Sequence, residues 1–210
     1  MTRIVNNCVA LVCLCLFWGQ SLRAADASHS EQMKWGNESV FNEEHNTLGL
    51  FSGVLGGQIV LAGGTSDDYS RWGRNAVCLS ENAGFALYED VLSKPLAYGA
   101  SITLSDGILC IGGRDSSQCY KDVFLVTMQQ GKLNVSEDWP PLPFPLSNAA
   151  GALLDNKVYL FGGRKSVSPS RLSDSFFVLD LSNKSRGWKE LPGYPGCVRD
   201  CLLYTSPSPR

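Results

Sequence analysis

The sequence has 210 residues, 44% of them hydrophobic and 18% charged, with a formal net charge of -2. A chain of this make-up can bury a core, which excludes wholesale disorder, and its low, evenly mixed charge without a basic run excludes the electrostatic footprint of a nucleic-acid binder. Glycine stands out at 21 residues, whereas the two histidines, His29 and His45, both lie near the N-terminus. That scarcity argues against histidine metal sites and against Ser–His or Cys–His catalysis.

In chain order, the first element reads as an address. Arg3 supplies a positive start, Cys8 to Trp18 form an apolar run too short to span a bilayer comfortably, and small residues follow at Ala24, Ala25 and Ala27. Residues 1–27 are expected to be a secretory signal peptide, cleaved after Ala24 or Ala27, with an N-terminal membrane anchor as the alternative. Export places the protein in the periplasm or outside the cell, with no stable membrane span once the leader is gone. Cys8, Cys13 and Cys15 leave with it. Cys78, Cys110, Cys119, Cys197 and Cys201 remain, an odd set whose spacing fits neither a disulfide framework nor a zinc site. Cys110, inside LCIGG, reads as a small core residue, with a Cys110–Cys119 bridge across the intervening loop as the alternative.

Beyond the leader the chain repeats. QIVLAGG ends at Gly64, GILCIGG at Gly113 and KVYLFGG at Gly163, spaced 49 and 50 residues apart. Other landmarks keep the same phase: Pro95-Leu96 with Pro145-Leu146, Asp106-Gly107 with Asp155-Asn156, and Trp139 with Trp188, each tryptophan followed shortly by Leu-Pro. The Asp-Gly and Asp-Asn pairs read as hairpin turns. Behind the second and third diglycines, DVFLV and DSFFVLDL are apolar and β-prone.

Each unit therefore reads as four short strands. In the third these are Ala149 to Leu154, Lys157 to Phe161, Ser175 to Leu181 and Gly187 to Leu191. The first unit lacks the tryptophan at the phase of Glu89, and Phe85 or Tyr88 takes its place. Four strands at this period are the signature of a kelch-type β-propeller blade. The fold class is all-β, with about three four-stranded blades near residues 47–91, 99–139 and 149–191. The diglycines Gly63-Gly64, Gly112-Gly113 and Gly162-Gly163 let the backbone turn at a strand end and let blades approach. Trp139 and Trp188 fill the wedge between twisted sheets.

PLAYGASITLSDGILCIGG, DVFLVTMQQGKL, LPFPLSNAAGALLDNKVYLFGG and FFVLDLS resemble the cyclically permuted mutarotase family, kelch proteins related to N-acetylneuraminate epimerase, the sialic acid mutarotase. Met33 to Trp35 and FSGVLGGQIVLAGG also fit, so the resemblance covers about Met33 to Pro195. The first two units look like the last blades of the non-permuted epimerase, and the third looks like its first. The resemblance implies a six-bladed propeller and an isomerase that interconverts the anomers of sialic acid, with no metal or organic cofactor. Ring opening and reclosure need a general acid and base, and the substrate carboxylate needs a cationic or hydrogen-bonding site. In the family a Glu and an Arg from a later blade are the proposed catalytic pair, and neither carries over to a position here. The loop TSDDYSRWGRN, Thr65 to Asn75, departs from the family pattern and keeps only its Trp72-Gly73 core.

Three units do not close a ring, since propellers have at least four blades, so the expectation is an incomplete ring spanning residues 33–196. Residues 197–210, CVRDCLLYTSPSPR, fall out of phase and read as non-native sequence or as a Pro/Ser-rich disordered tail. Arg114 and Arg164 each follow a diglycine at equivalent positions of neighbouring blades. They are candidates to grip a carboxylate at one shared mouth; the alternative is a solvated loop arginine or an ion pair with Asp115 or Asp122. Tyr98 and Asn148, at matching positions before the innermost strands, are candidate sugar contacts. Asn37, Asn134 and Asn183 begin Asn-x-Ser sequences, which matter only in a eukaryotic secretory pathway. The expected partner is a small sugar acid, and the oligomeric state stays open. Competing readings are a non-catalytic kelch module that binds carbohydrate or protein, and the extracytoplasmic part of a sugar transporter.

Overall fold

The computed structural model describes residues 48–80 and 84–193. The leader expected over 1–27 and the tail expected over 197–210 lie outside the described residues. Three four-stranded antiparallel sheets occupy the described span. Blade 1 is β1 (Phe51–Leu55), β2 (Gln58–Ala62), β3 (Ala76–Ser80) and β4 (Gly84–Tyr88); blade 2 is β5 (Ala100–Thr103), β6 (Ile108–Ile111), β7 (Val123–Gln129) and β8 (Lys132–Ser136). Blade 3 is β9 (Ala150–Leu154), β10 (Lys157–Phe161), β13 (Phe176–Asp180) and β14 (Lys189–Leu191), with a small hairpin of β11 (Arg164–Ser166) and β12 (Arg171–Leu172) in its loop. Every blade is a meander in chain order. Among the described residues no helix is long and apolar enough to cross a membrane.

Local chemistry explains the turns. Asp155 and Asn156 both take positive φ, 47° and 59°, which matches the twist that a two-residue hairpin needs. Gly56 and Gly57 do the same in blade 1, at 57° and 78°. The fourth strand of blade 3 starts at Lys189 rather than Gly187, because Leu181–Arg186 wind into a 3-10 helix. The Asp180 carboxylate caps that helix by accepting the Ser182 N–H at 2.9 Å.

The strands alternate between two apolar faces, and both faces of blade 2 are covered. Val60, Ala62, Ala76 and Cys78 of blade 1 meet Ile108, Cys110, Phe124 and Val126 of blade 2. Leu109, Ile111, Val123 and Leu125, on the other face of blade 2, meet Val158, Leu160, Phe177 and Leu179 of blade 3. Full burial of each Leu, Ile or Phe side chain contributes roughly 1.5–3 kcal/mol, so these two seams hold most of the apolar stabilisation. Polar contacts set the register across the first seam: Ser52 N–H donates to Ser101 Oγ at 3.0 Å and Val54 N–H to Thr103 Oγ1 at 3.2 Å. A side chain at Gly53 would force its neighbours to shift, since a Cβ there would lie 2.6 Å from Ile108 Cγ1.

Trp139 is buried in the second seam, and Trp188 ties blade 3 to it by donating its Nε1–H to Pro140 O at 2.9 Å. In blade 1, Tyr88 packs against the first seam and donates its hydroxyl to Gly131 O at 3.1 Å, whereas Phe85 is exposed. Of the two residues offered for the missing tryptophan, Tyr88 is the one that joins the core. Cys110 is fully buried, and Cys78, Cys110 and Cys119 are free thiols, so Cys110 and Cys119 are not bridged. Burial alone pushes the Cys110 thiol far above its usual range. The ring is not closed among the described residues.

Candidate functional site

The site begins with the diglycines. All six residues have positive φ. A Cβ at Gly63 would lie 2.2 Å from Leu96 O, and one at Gly112 would lie 2.3 Å from Leu146 O. Glycine thus lets each loop press against the connector that leads into the next blade. The second glycine of each pair then bonds across: Gly64 N–H donates to Leu96 O at 2.9 Å and Gly113 N–H to Leu146 O at 2.8 Å.

The residue after each diglycine is fixed by a two-way backbone pairing. Thr65 pairs with Leu48, Arg114 with Ala97 and Arg164 with Ser147. The residues that follow these partners, Gly49, Tyr98 and Asn148, also correspond by repeat position, and all three have positive φ, at 65°, 59° and 56°. They are linked in series: Tyr98 N–H donates to Gly49 O and Asn148 N–H to Tyr98 O, each at 2.7 Å. The candidates Arg114, Arg164, Tyr98 and Asn148 therefore lie along one edge shared by the blades, each of them half-buried. Left-handed φ at a tyrosine and an asparagine is strained. The inter-blade bonds hold them there.

Arg114 and Tyr98 are in contact. The Arg114 guanidinium carbon is 4.8 Å from the centre of the Tyr98 ring and 5.1 Å from that of Trp72, and the two rings lie 6.4 Å apart at 63°. Burial first, and then a hydrogen bond with Tyr69, push the Tyr98 hydroxyl well above the usual tyrosine range. Tyr98 is accordingly a neutral donor at neutral pH. Trp72 is pinned through its Nε1–H to Tyr69 O at 3.1 Å. The surrounding loop is stiffened by Asp68, which accepts from the Ser66 hydroxyl and from Ser70 N–H and Oγ. Those bonds, Ser66 foremost, lower Asp68 to about 2.

The loop of blade 2 has an equivalent anchor. Asp115 accepts from Tyr120 Oη at 2.6 Å, Ser117 N–H at 2.7 Å, Ser117 Oγ at 2.8 Å and Gln118 N–H at 2.9 Å. Burial opposes its charge, but the hydrogen bonds from Tyr120, Gln118 and Ser117 outweigh that and hold Asp115 at about 2. Its carboxylate is thus occupied within its own loop. Asp122 pairs with Lys94 at 2.7 Å. The alternative partners offered for Arg114 are both engaged elsewhere, and Arg114 reaches only the Asp115 carbonyl, at 3.4 Å. Arg164 takes the corresponding place one blade on, beside buried Ser147, whose hydroxyl meets Cys119 Sγ at 3.4 Å.

Sequence reasoning offered Arg114 as a carboxylate grip and Tyr98 as a sugar contact but did not join Trp72 to them. An aromatic residue in the loop one blade before a post-diglycine arginine was the available signal. A separate groove of about 350 Å³ lies between blades 1 and 2, lined by Leu92, Lys94, Asp122, Glu137 and Trp139 among others. Its lysine is spent on Asp122, and no arginine lines it.

These blades, diglycine turns and phased tryptophans define a kelch-repeat chain of the β-propeller class, and residues 145–192 match the Kelch motif. Among characterised proteins the chain is similar to the N-acetylneuraminate epimerase of Vibrio cholerae, 31% identical over 80 residues, which is 38% of this chain and 19% of that protein. It is also similar to a kelch domain-containing protein of Vibrio cholerae, 32% identical over 66 residues, or 31% of this chain and 17% of that protein. The N-acetylneuraminate epimerase of Brucella suis is 33% identical over 66 residues, or 31% of this chain and 15% of that protein. The matched stretch therefore spans less than a fifth of each relative.

Proposed function

We propose that this chain forms part of an exported sugar-acid mutarotase of the N-acetylneuraminate epimerase kind, and that its mouth grips the substrate carboxylate. The observation that carries this reading is Arg114, held in the corner of the Trp72 and Tyr98 rings and not paired with Asp115 or Asp122. A guanidinium held by aromatic rings keeps N–H donors for a ligand, which suits a carboxylate. Arg164, at the equivalent position, offers a second cation, and the Tyr98 hydroxyl and Asn148 amide offer contacts to sugar hydroxyls. Similarity to proteins named N-acetylneuraminate epimerase supports the substrate class, and the leader-like N-terminus supports an extracytoplasmic location. The mouth supplies binding and orientation. We assign no acid–base pair to it.

The test follows N-acetylneuraminate by NMR. Binding is read by saturation transfer to the chain, and anomerisation by the decay of freshly released α anomer to β. The expected results are binding that weakens in Arg114→Ala and a decay faster than in buffer. Binding with an unchanged decay rate identifies a sugar-acid-binding kelch module without catalysis. No binding by the wild-type chain overturns the reading.

A further inference from the structure

Gly49 has a φ of 65°, but its backbone alone does not require glycine. The residues at the same repeat position, Tyr98 and Asn148, hold 59° and 56° with full side chains. What sets Gly49 apart is the space beside it. A Cβ there would lie 2.8 Å from Cδ1 of Tyr98 and 2.9 Å from its Cγ and Cε1. The Tyr98 ring fills the place that a side chain would take.

The fit is reciprocal. Gly99, next to Tyr98, has no left-handed φ to account for it. A Cβ at Gly99 would clash with Cε1 and Cζ of Phe51, whose ring is buried. Blade 2 thus lays a tyrosine on a glycine of blade 1, and blade 1 lays a phenylalanine on a glycine beside that tyrosine. The repeat separates this device from turn chemistry. One blade on, Ala100 stands at the position of Phe51 and Ala149 at that of Gly99. Where the ring is absent, the glycine is absent too.

Seated on Gly49, the Tyr98 ring lies 6.4 Å from the Trp72 ring and 4.8 Å from the Arg114 guanidinium carbon. The two backbones are tied by the 2.7 Å bond from Tyr98 N–H to Gly49 O. A methyl group at Gly49 therefore displaces the ring rather than the chain, and the ring is what Arg114 rests on. We propose that Gly49 is a positioning residue of the mouth: by leaving its side-chain place to the Tyr98 ring, it holds Arg114 in the corner of Tyr98 and Trp72, where the guanidinium grips a carboxylate. The consequence for carboxylate binding rests on the sugar-acid reading above, whereas the placement of Arg114 by Gly49 does not.

Two readouts test it, one of them without ligand. In NMR spectra the Arg114 side-chain protons, assigned by their loss in Arg114→Ala, are expected upfield of ordinary arginine positions, because aromatic ring currents shield them. Gly49→Ala and Tyr98→Ala are each expected to return them toward the ordinary positions, and the double variant is expected to match Tyr98→Ala. N-acetylneuraminate is expected to bind Gly49→Ala about 10-fold more weakly, the lower end of a lost charge-assisted hydrogen bond. Added to Tyr98→Ala, the same substitution is expected to cost no further affinity, whereas backbone strain acts in both backgrounds. If Gly49→Ala does not fold, the double variant, which lacks the ring, is expected to fold; a double variant that fails as well assigns Gly49 to the backbone and overturns the proposal. Arg114 protons that stay shielded in Gly49→Ala, or an affinity that holds while the shielding is lost, overturn it too. A wild-type chain that does not bind the sugar acid, but loses the shielding in Gly49→Ala, overturns the sugar-acid reading and upholds the placement of Arg114.

Discussion

The Arg114 guanidinium lies 4.8 Å over the ring of Tyr98, and Tyr98 is itself fastened to the blades on both sides, through Gly49 O and through the Asn148 N–H. The cation is thus positioned by a residue that three blades hold in a strained conformation. With Trp72 also within 5.1 Å, Arg114 is ordered before any ligand arrives, which removes part of the entropic cost of binding.

Arg114→Ala is therefore expected to weaken N-acetylneuraminate binding about 10- to 100-fold, the size of a lost charge-assisted hydrogen bond of roughly 1.5–3 kcal/mol. Trp72→Ala leaves the charge in place and removes a cation–π contact of roughly 0.5–1 kcal/mol, so a loss of only a few-fold is expected. Arg114→Lys is expected to behave closer to alanine, because an ammonium has neither a planar face to lay against an aromatic ring nor a planar fork. Isothermal titration on the three variants checks the order. Lysine binding as well as arginine removes the stacking from the account.

The diglycines yield a stability prediction. Gly112 and Gly131 both have positive φ, 63° and 74°, but a Cβ at Gly112 meets Leu146 O at 2.3 Å, whereas one at Gly131 meets nothing within 4 Å. Gly131→Ala is expected to cost about 1–2 kcal/mol, the backbone penalty alone. Gly112→Ala is expected to cost clearly more, because the Leu146 carbonyl and its bond to Gly113 must move as well. Urea unfolding of the two variants measures the difference.

Asp115 supplies a pH dependence. Its folded value, about 2, lies below the ordinary 3.8. Its hydrogen bonds therefore stabilise the fold fully above about pH 4, and that contribution is lost as the pH falls from about 4 toward 2. Asp115→Asn is expected to be less stable at pH 7 and to show a flatter decline between pH 4 and 2, read from melting temperatures across that window. The effect is modest, since the loop is solvent-screened. Asp68, lowered to about 2 by Ser66 and Ser70, acts in the same direction and keeps a residual slope in the variant.

Much of the blade order was legible in the sequence because a blade is a local object. The diglycine, the hairpin pair and the apolar alternation each act over a few residues, and their 49- and 50-residue phase is visible without coordinates. The Arg114 stack was less legible because it joins Trp72 from one blade to Tyr98 and Arg114 from the next. Only the side-by-side placement of blades brings those residues together. The same holds for Asp122, which sequence proximity offered to Arg114 and the fold gives to Lys94, 28 residues earlier. Trp188 was expected to fill a wedge, but its bond to Pro140 O, across the seam, required the packing of blade 3 on blade 2.

Phe176 and Phe177 separate the two faces of blade 3 in adjacent residues. Phe177 is 0% exposed within the seam with blade 2, and Phe176 is half-buried on the outward face beside Tyr159 and Phe161. Phe177→Ala is expected to cost about 3–5 kcal/mol at any chain concentration, as a large core truncation does. Phe176→Ala is expected to cost clearly less in dilute solution, where its face meets water. Chemical unfolding of both variants measures the difference. A Phe176→Ala cost as large as that of Phe177→Ala removes the distinction between the two faces.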